Sequence, residues 1–80
     1  MQIIEAHIGT PINAPSGFYV VIQAKSYDEA CSSAARELAQ AAAVENGFQS
    51  KVGSRGFPCR GANGYTRAFW FHDRFPNYDR

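Results

Sequence analysis

The sequence of 80 residues is poor in the side chains from which catalytic and metal centres are usually built. It holds two cysteines and two histidines, and none of them stands at a tight spacing such as CxxC, which a zinc site requires. No nucleophile has a base and an orienting group in a recognisable pattern, and the glycines match neither a phosphate-binding loop nor a dinucleotide fingerprint. We therefore predict a protein that is not an enzyme and uses no metal or cofactor.

Long apolar runs are also missing. No segment approaches the roughly 18 apolar residues of a membrane span, and the N-terminal MQIIEAHIGTP lacks the basic region and apolar core of a signal peptide. We expect a cytoplasmic protein with no membrane partner. In that compartment Cys31 and Cys59 remain free thiols, and a single bridge between them is the alternative.

Charged side chains make up only 19% of the chain, with a net charge of +1, but they are unevenly distributed. Residues 1–45 carry two basic and five acidic side chains, whereas residues 46–80 carry six basic and two acidic ones. The basic half is also the aromatic half. This asymmetry indicates a polyanion or an acidic protein patch as the partner, and a chance distribution is the alternative.

Hydrophobic periodicity predicts the order β-β-α-β-β. Residues 18–24, FYVVIQA, alternate most clearly between two faces of a strand. The other predicted strands are residues 2–8, 48–52 and 65–72, with loops at 9–17 and 53–64 and a polar tail at 75–80. We predict an α+β fold in one domain, residues 1–80: a single helix packed on a small, largely antiparallel four-stranded sheet.

The predicted helix begins at Ser26, which forms a capping box with Glu29, and ends at Asn46 and Gly47. Small and apolar side chains at steps of three and four residues predict a buried stripe of Tyr27, Ala30, Cys31, Ala34, Ala35, Leu38, Ala41 and Ala42. Because this stripe is mostly alanine, the helix backbone can approach the sheet closely, and the sheet must supply the bulk of the core. Cys31 is then a small core residue.

One helix covers only one face of such a sheet, so the other face must meet water or a partner. The strand phases place on this open face Ile3, Glu5, His7, Tyr19, Val21, Gln23, Gln49, Lys51, Ala68, Trp70 and His72. The phase of the last strand is the open point. If Phe69 and Phe71 are buried, Trp70 lies outside and Arg67 lies inside near the edge, whereas a bulge would reverse the end of the strand.

Residues 53–75, GSRGFPCRGANGYTRAFWFHDRF, concentrate arginine, aromatic and glycine residues. Arginine and aromatic side chains dominate the centres of protein interfaces, and they also contact phosphates and stack on bases. A protein-docking surface and a small nucleic-acid-binding module both fit this composition, and for Phe57 a core position is a further alternative. The predicted contact residues are Lys51, Arg55, Phe57, Arg60, Tyr65, Arg67, Trp70 and Arg74.

The plan of the chain resembles that of the small bacteriophage anti-CRISPR proteins. A strand leads directly into a capped, alanine-rich helix, YVVIQAKSYDEACSSAARELAQAAA, and short strands with arginine and aromatic residues follow. The resemblance covers most of the chain and concerns the order of its elements. It implies a non-enzymatic inhibitor, in the cytoplasm of a bacterial host, that docks on a CRISPR–Cas effector complex and sterically blocks target DNA. Since the chain is not acidic overall, the resemblance implies a steric plug rather than a mimic of duplex phosphate.

Overall fold

The computed structural model describes residues 1–9 and 17–72 of the chain. The elements are β1 (Gln2–Ile8), β2 (Phe18–Ala24), α1 (Tyr27–Ala30), α2 (Ser33–Glu45), β3 (Ser54–Arg55), β4 (Cys59–Gly61) and β5 (Gly64–Phe71). The strands pair antiparallel in the order β1-β2-β5-β3, and β4 also pairs with β5. The predicted α+β class is confirmed. The predicted loop at 10–16 and the tail from residue 73 lie outside the described residues.

The border of the sheet beside β5 differs from the prediction. Residues 48–52 form no strand, so Gln49 and Lys51 do not belong to the open face of the sheet. Instead, β3 pairs with the C-terminal half of β5 and β4 with its N-terminal half, which makes one border strand interrupted at residues 56–58. Pro58 has no amide hydrogen to donate, so the ladder cannot run unbroken through this position.

The end of α2 explains why residue 48 enters the core and does not begin a strand. As predicted, α2 ends at Asn46 and Gly47, and Gly47 adopts a left-handed φ of 86°. The amide of Phe48 then donates to the carbonyl of Ala43 at 2.9 Å. This turn directs the Phe48 ring into the core, where it stacks on Phe18 with 5.6 Å between ring centroids.

Two helices replace the single predicted helix. The predicted cap at Ser26 is present, because its hydroxyl accepts from the Glu29 amide at 3.1 Å. A second serine, Ser32, then caps α2 by accepting from the Ala35 amide at 3.3 Å, and its hydroxyl donates to the Glu29 carbonyl at 2.6 Å. Serine side chains compete with helical hydrogen bonding in this way. One helix therefore ends and a second begins where the periodicity predicts a single continuous helix.

The break shifts the buried stripe of the helix. The buried residues of α2 are Ala35, Ala39, Ala42 and Ala43, and α1 contributes Ala30. The predicted burial of four stripe residues is wrong, since Tyr27, Cys31, Ala34 and Ala41 are exposed. Ala39 and Ala43 take their place because α2 begins anew at Ser32, with its own phase.

The core lies between the helices and one face of the sheet. Phe18, Val20 and Ile22 of β2 are at most 1% exposed, as are Phe69 and Phe71 of β5. The helices contribute alanines, so the strand side chains and Phe48 provide most of the core volume, in agreement with the alanine-rich stripe. Burial of each large side chain contributes about 1.5–3 kcal/mol. The predicted phase of β5, with Arg67 on the inner side, is confirmed.

Strand β1 changes face at Ile4. Ile3 lies opposite Ile22 and Glu5 lies opposite Val21, which leaves Ile4 as an extra residue. Ile3 therefore packs against the core, whereas Ile4 is 48% exposed. The predicted faces of Ile3 and Ile4 are wrong because the inserted residue reverses the alternation at that point.

Candidate binding surfaces

The open face of the sheet carries a row of three aromatic rings. Strand register places His7 of β1 and Trp70 of β5 on either side of Tyr19 of β2. The ring centroids are 5.1 Å apart for His7 and Tyr19 and 5.2 Å apart for Tyr19 and Trp70, with the planes tilted by 46° and 48°. Tilted pairs at these distances are favourable. We call these three residues the aromatic band, and all of them are half-buried.

Next to the aromatic band on the open face lies a second row of residues, which holds two small apolar side chains and one carboxylate. Val21 and Ala68 lie side by side in the adjacent row, with Glu5 at its β1 end. The Glu5 carboxylate lies 3.6 Å from Nε2 of His7. Burial and the nearby Glu5 charge raise the pKa of the Tyr19 phenol above its usual value. The phenol therefore remains a neutral donor and acceptor on this face.

The imidazole of His7 is oriented by the backbone. Its Nδ1 lies 2.8 Å from the carbonyl oxygen of Gly9. Because a carbonyl oxygen can only accept, Nδ1 is the donor in this hydrogen bond. The His7 ring is thus held against Tyr19 before any partner arrives.

Three arginines lie together on the opposite side of the sheet, next to the helices. Arg36 of α2, Arg55 of β3 and Arg67 of β5 line a pocket of about 180 Å³, which Cys31, Ser32 and Phe69 complete. We call this the arginine pocket. The side chain of Arg67 donates from Nε to the Gly56 carbonyl at 2.9 Å and from Nη1 to the Ala30 carbonyl at 3.2 Å. Its guanidinium lies 5.3 Å from the centroid of the Phe69 ring.

Phe57 projects from the border of the sheet between β3 and β4. Its side chain is 85% exposed, so the alternative that it belongs to the core is wrong. The turn that presents it is held on both sides, because the Gly56 amide donates to the Ala68 carbonyl at 2.9 Å and the Cys59 thiol donates to the Phe57 carbonyl at 3.4 Å.

The predicted contact residues are divided between the two sides of the sheet. The helix side holds four of them: Arg55, Arg60, Tyr65 and Arg67. Trp70 lies on the open face, and Phe57 lies at the border. Lys51 is exposed in the segment before β3. Arg74 lies outside the described residues.

The residues of these surfaces that the predicted contacts left out include His7, Tyr19 and Arg36. His7 and Tyr19 were expected on the open face, but their alignment with Trp70 depends on strand register. Arg36 was missed because a continuous helix gives it no relation to the strand arginines. The signal for Arg36 was the serine pair at positions 32 and 33, since a serine inside a helical pattern indicates a second cap.

The thiols, candidate metal ligands and helix lengths of the described residues also bear on function. Both cysteines are free and exposed. Within residues 1–9 and 17–72, no three His, Cys, Asp or Glu side chains are grouped so that they could hold a metal ion. No helix in the same residues is long and apolar enough to cross a membrane.

Comparison of the chain with protein-family profiles, with curated proteins and with solved structures finds no match in any of the three. Function must therefore be inferred from the geometry of the aromatic band, the arginine pocket and the Phe57 turn.

Proposed function

We propose that this chain is a non-enzymatic binding protein that docks on another protein through the open face of its sheet. The observation that carries the proposal is the aromatic band, which crosses three strands on the side away from α1 and α2. Tryptophan and tyrosine are the residue types most enriched at the energetic centres of protein interfaces. The rings are already packed against each other, so little side-chain entropy is lost when a partner covers them.

Phe57 extends this contact surface at the border of the sheet. A phenylalanine ring that is 85% exposed forgoes most of the roughly 1.5–3 kcal/mol that its burial would contribute. A partner with a pocket for the ring recovers that free energy. The position of Trp70 supports this role. Its ring lies close to Gly56, and it therefore connects the Phe57 turn with the aromatic band.

The distribution of charge favours a protein partner over single-stranded nucleic acid on the open face. Binding of single strands combines stacking rings with cations that follow the phosphate backbone. Here Arg55 and Arg67 lie on the helix side of the sheet, opposite Trp70. The Glu5 carboxylate lies beside the aromatic band, 3.6 Å from Nε2 of His7, and it repels phosphate.

A small nucleic-acid-binding module is the second candidate, and the Phe57 turn is what favours it. The exposed ring stands between Arg55 and Arg60, which are both exposed. A base could stack on Phe57 while the two arginines contact adjacent phosphates. In this candidate the aromatic band takes no part.

Our proposal for the identity of the protein partner follows from the resemblance to phage anti-CRISPR proteins in the order of the elements. The partner is then a CRISPR–Cas effector complex in a bacterial cytoplasm, and the bound chain sterically blocks target DNA. The open face would meet the protein, with Trp70 as its central anchor.

The test is a binding measurement on purified CRISPR–Cas effector complexes, with the full chain immobilised at moderate salt and after nuclease treatment. We expect nuclease-resistant binding that Trp70→Ala weakens by about 30-fold or more, which corresponds to roughly 2 kcal/mol for an interface anchor. Tyr27→Ala is the matched control. It removes another half-exposed aromatic ring, but from the helix side.

Equal losses for the two variants would contradict docking through the open face. Binding that disappears with nuclease, or that falls steeply with salt and depends on Arg55 and Arg60 instead of Trp70, would establish the nucleic-acid module in its place.

A further inference from the structure

The arginine pocket is a feature that docking through the open face does not use. It lies on the other side of the sheet, and among the described residues that line it none is acidic. Three like charges around one small volume repel each other unless an anion lies between them. The pocket therefore favours an anion as its ligand.

Within residues 1–9 and 17–72, none of the arginines has a carboxylate at ion-pair distance. The carboxylate that does lie near a basic side chain in these residues is that of Glu5, which is 3.6 Å from His7 on the open face. Arg36 and Arg55 are exposed and remain available to a ligand.

Arg67 is fixed in place before any ligand binds. Its Nε and Nη1 atoms donate to the carbonyls of Gly56 and Ala30, and its guanidinium stacks over Phe69. Two backbone contacts from different elements determine the position of the planar group, and its Nη2 atom retains donors that those bonds do not use. A held guanidinium loses little entropy on binding an oxyanion, in contrast to a free surface arginine.

The arginine pocket is small, with a volume of about 180 Å³. Pockets that enclose a whole small-molecule ligand are larger, about 300–1,000 Å³. The arginine pocket can therefore receive one oxyanion group while the rest of the molecule that bears it stays outside.

The charge of the pocket decides which oxyanion fits. A carboxylate has one charge and two oxygens, whereas a phosphate group carries up to two charges and more oxygens, so it can accept from more guanidinium donors than a carboxylate can. Ser32, the N-cap of α2, adds the positive end of that helix to the same wall.

We propose that the arginine pocket of Arg36, Arg55 and Arg67 is a binding site for a single phosphate group, either as free phosphate or as the phosphate of a nucleotide chain. The site is independent of the aromatic band, and its occupation does not require the protein partner.

Isothermal titration of the full chain with inorganic phosphate at low ionic strength tests this site. The double variant Arg36→Gln with Arg55→Gln should weaken binding at least about tenfold, because each charge-assisted hydrogen bond to an anion contributes strongly. Both side chains are exposed, so we expect the variant to keep its thermal midpoint, which circular dichroism would verify. Lys25→Gln, which removes an exposed positive charge outside the pocket, should change the affinity less than twofold.

Oligonucleotides of one sequence, with and without a 5′-phosphate, identify the source of the group. Tighter binding of the phosphorylated strand, lost in the double variant, indicates a terminal phosphate, and equal binding lost in the double variant indicates the backbone. Binding of inorganic phosphate alone indicates a free ligand. The proposal is overturned if phosphate does not bind, if Lys25→Gln weakens binding as much as the double variant, or if a phosphate-free acidic peptide binds the pocket and phosphate does not compete.

Discussion

Replacement of Ala39 by leucine tests both the close approach of α2 to the sheet and the phase of that helix. Ala39 is fully buried among the core rings, whereas Ala41, two positions along the same helix, is exposed. Leucine adds three carbon atoms at either position. At Ala39 they must enter a packed core, and overpacking of this kind costs about 1–3 kcal/mol. At Ala41 they enter solvent, and the change in helix propensity is only a few tenths of a kcal/mol.

The expected loss at Ala39 is large for a domain of this size. At about 0.05–0.15 kcal/mol per residue, 80 residues give a total stability of roughly 4–12 kcal/mol. Each kcal/mol lowers the Tm of a small domain by about 4–8 °C, so a cost of about 1–3 kcal/mol for Ala39→Leu should lower it by about 4–24 °C. Ala41→Leu should lie within about 2 °C of the parent chain, on the same scale.

Thermal unfolding followed by far-ultraviolet circular dichroism measures both values, and urea unfolding provides the corresponding free energies. The two variants also separate two helical phases, since the periodicity of a single helix places Ala41 inside. A greater loss for Ala41→Leu, or no loss for Ala39→Leu, would refute the reasoning that Ser32 resets the helix and that alanine permits its close approach.

Two further predictions concern the open face and the β4–β5 turn. The pKa of the Tyr19 phenol in the folded state is raised above its ordinary value of 10.0, so the folded state keeps the phenol proton to a higher pH than the unfolded state does. The contribution of this phenol to stability is therefore present below about pH 10 and is lost as the pH rises through the folded pKa. Tyr19→Phe should therefore flatten the fall of Tm between about pH 9 and about pH 11, and an unchanged pH profile would show that the phenol is not responsible. Gly64→Ala should destabilise more than Gly47→Ala in urea unfolding. Both glycines have positive φ, 119° and 86°, which costs about 1–2 kcal/mol for alanine, but only at Gly64 would the new methyl group meet the carbonyl of Ala24. Equal losses at the two sites would show that this contact relaxes freely.

Local patterns predicted the parts of the fold that local forces determine. The alternation of β2 and the aromatic alternation of β5 gave the right faces, because buried strands separate apolar and polar residues regardless of their neighbours. The caps at Ser26 and Asn46 were also predicted, since each satisfies backbone groups within a few residues.

The errors arose where one residue changes the phase or where tertiary packing prevails. Ile4 is a single inserted residue next to a second isoleucine, Ile3, and the sequence does not show which of the two is the extra one. Ser32 has the same effect within the helix. Phe48 was assigned to a strand over residues 48–52, but the turn after α2 and the contact with Phe18 bring it into the core.

The candidate surfaces were partly predictable for the same reason. Arg67 and Trp70 are three residues apart on one strand, an odd spacing that places them on opposite faces, and this was expected from the sequence. The aromatic band was not, because Tyr19 meets Trp70 only through the register of β2 against β5. The arginine pocket requires α2, β3 and β5 to converge, which no local pattern contains.

Both borders of the sheet are interrupted, and this affects how copies of the protein meet. A long, regular border strand is a template for edge-to-edge pairing, which leads to aggregation. On one side β1 carries the Ile4 bulge, and on the other the border consists of β3 with two residues and β4 with three, separated by the Phe57 turn. Within residues 1–9 and 17–72, neither border offers a continuous ladder of free backbone groups. The protein can thus present an aromatic face to a partner without its sheet growing from one molecule into the next.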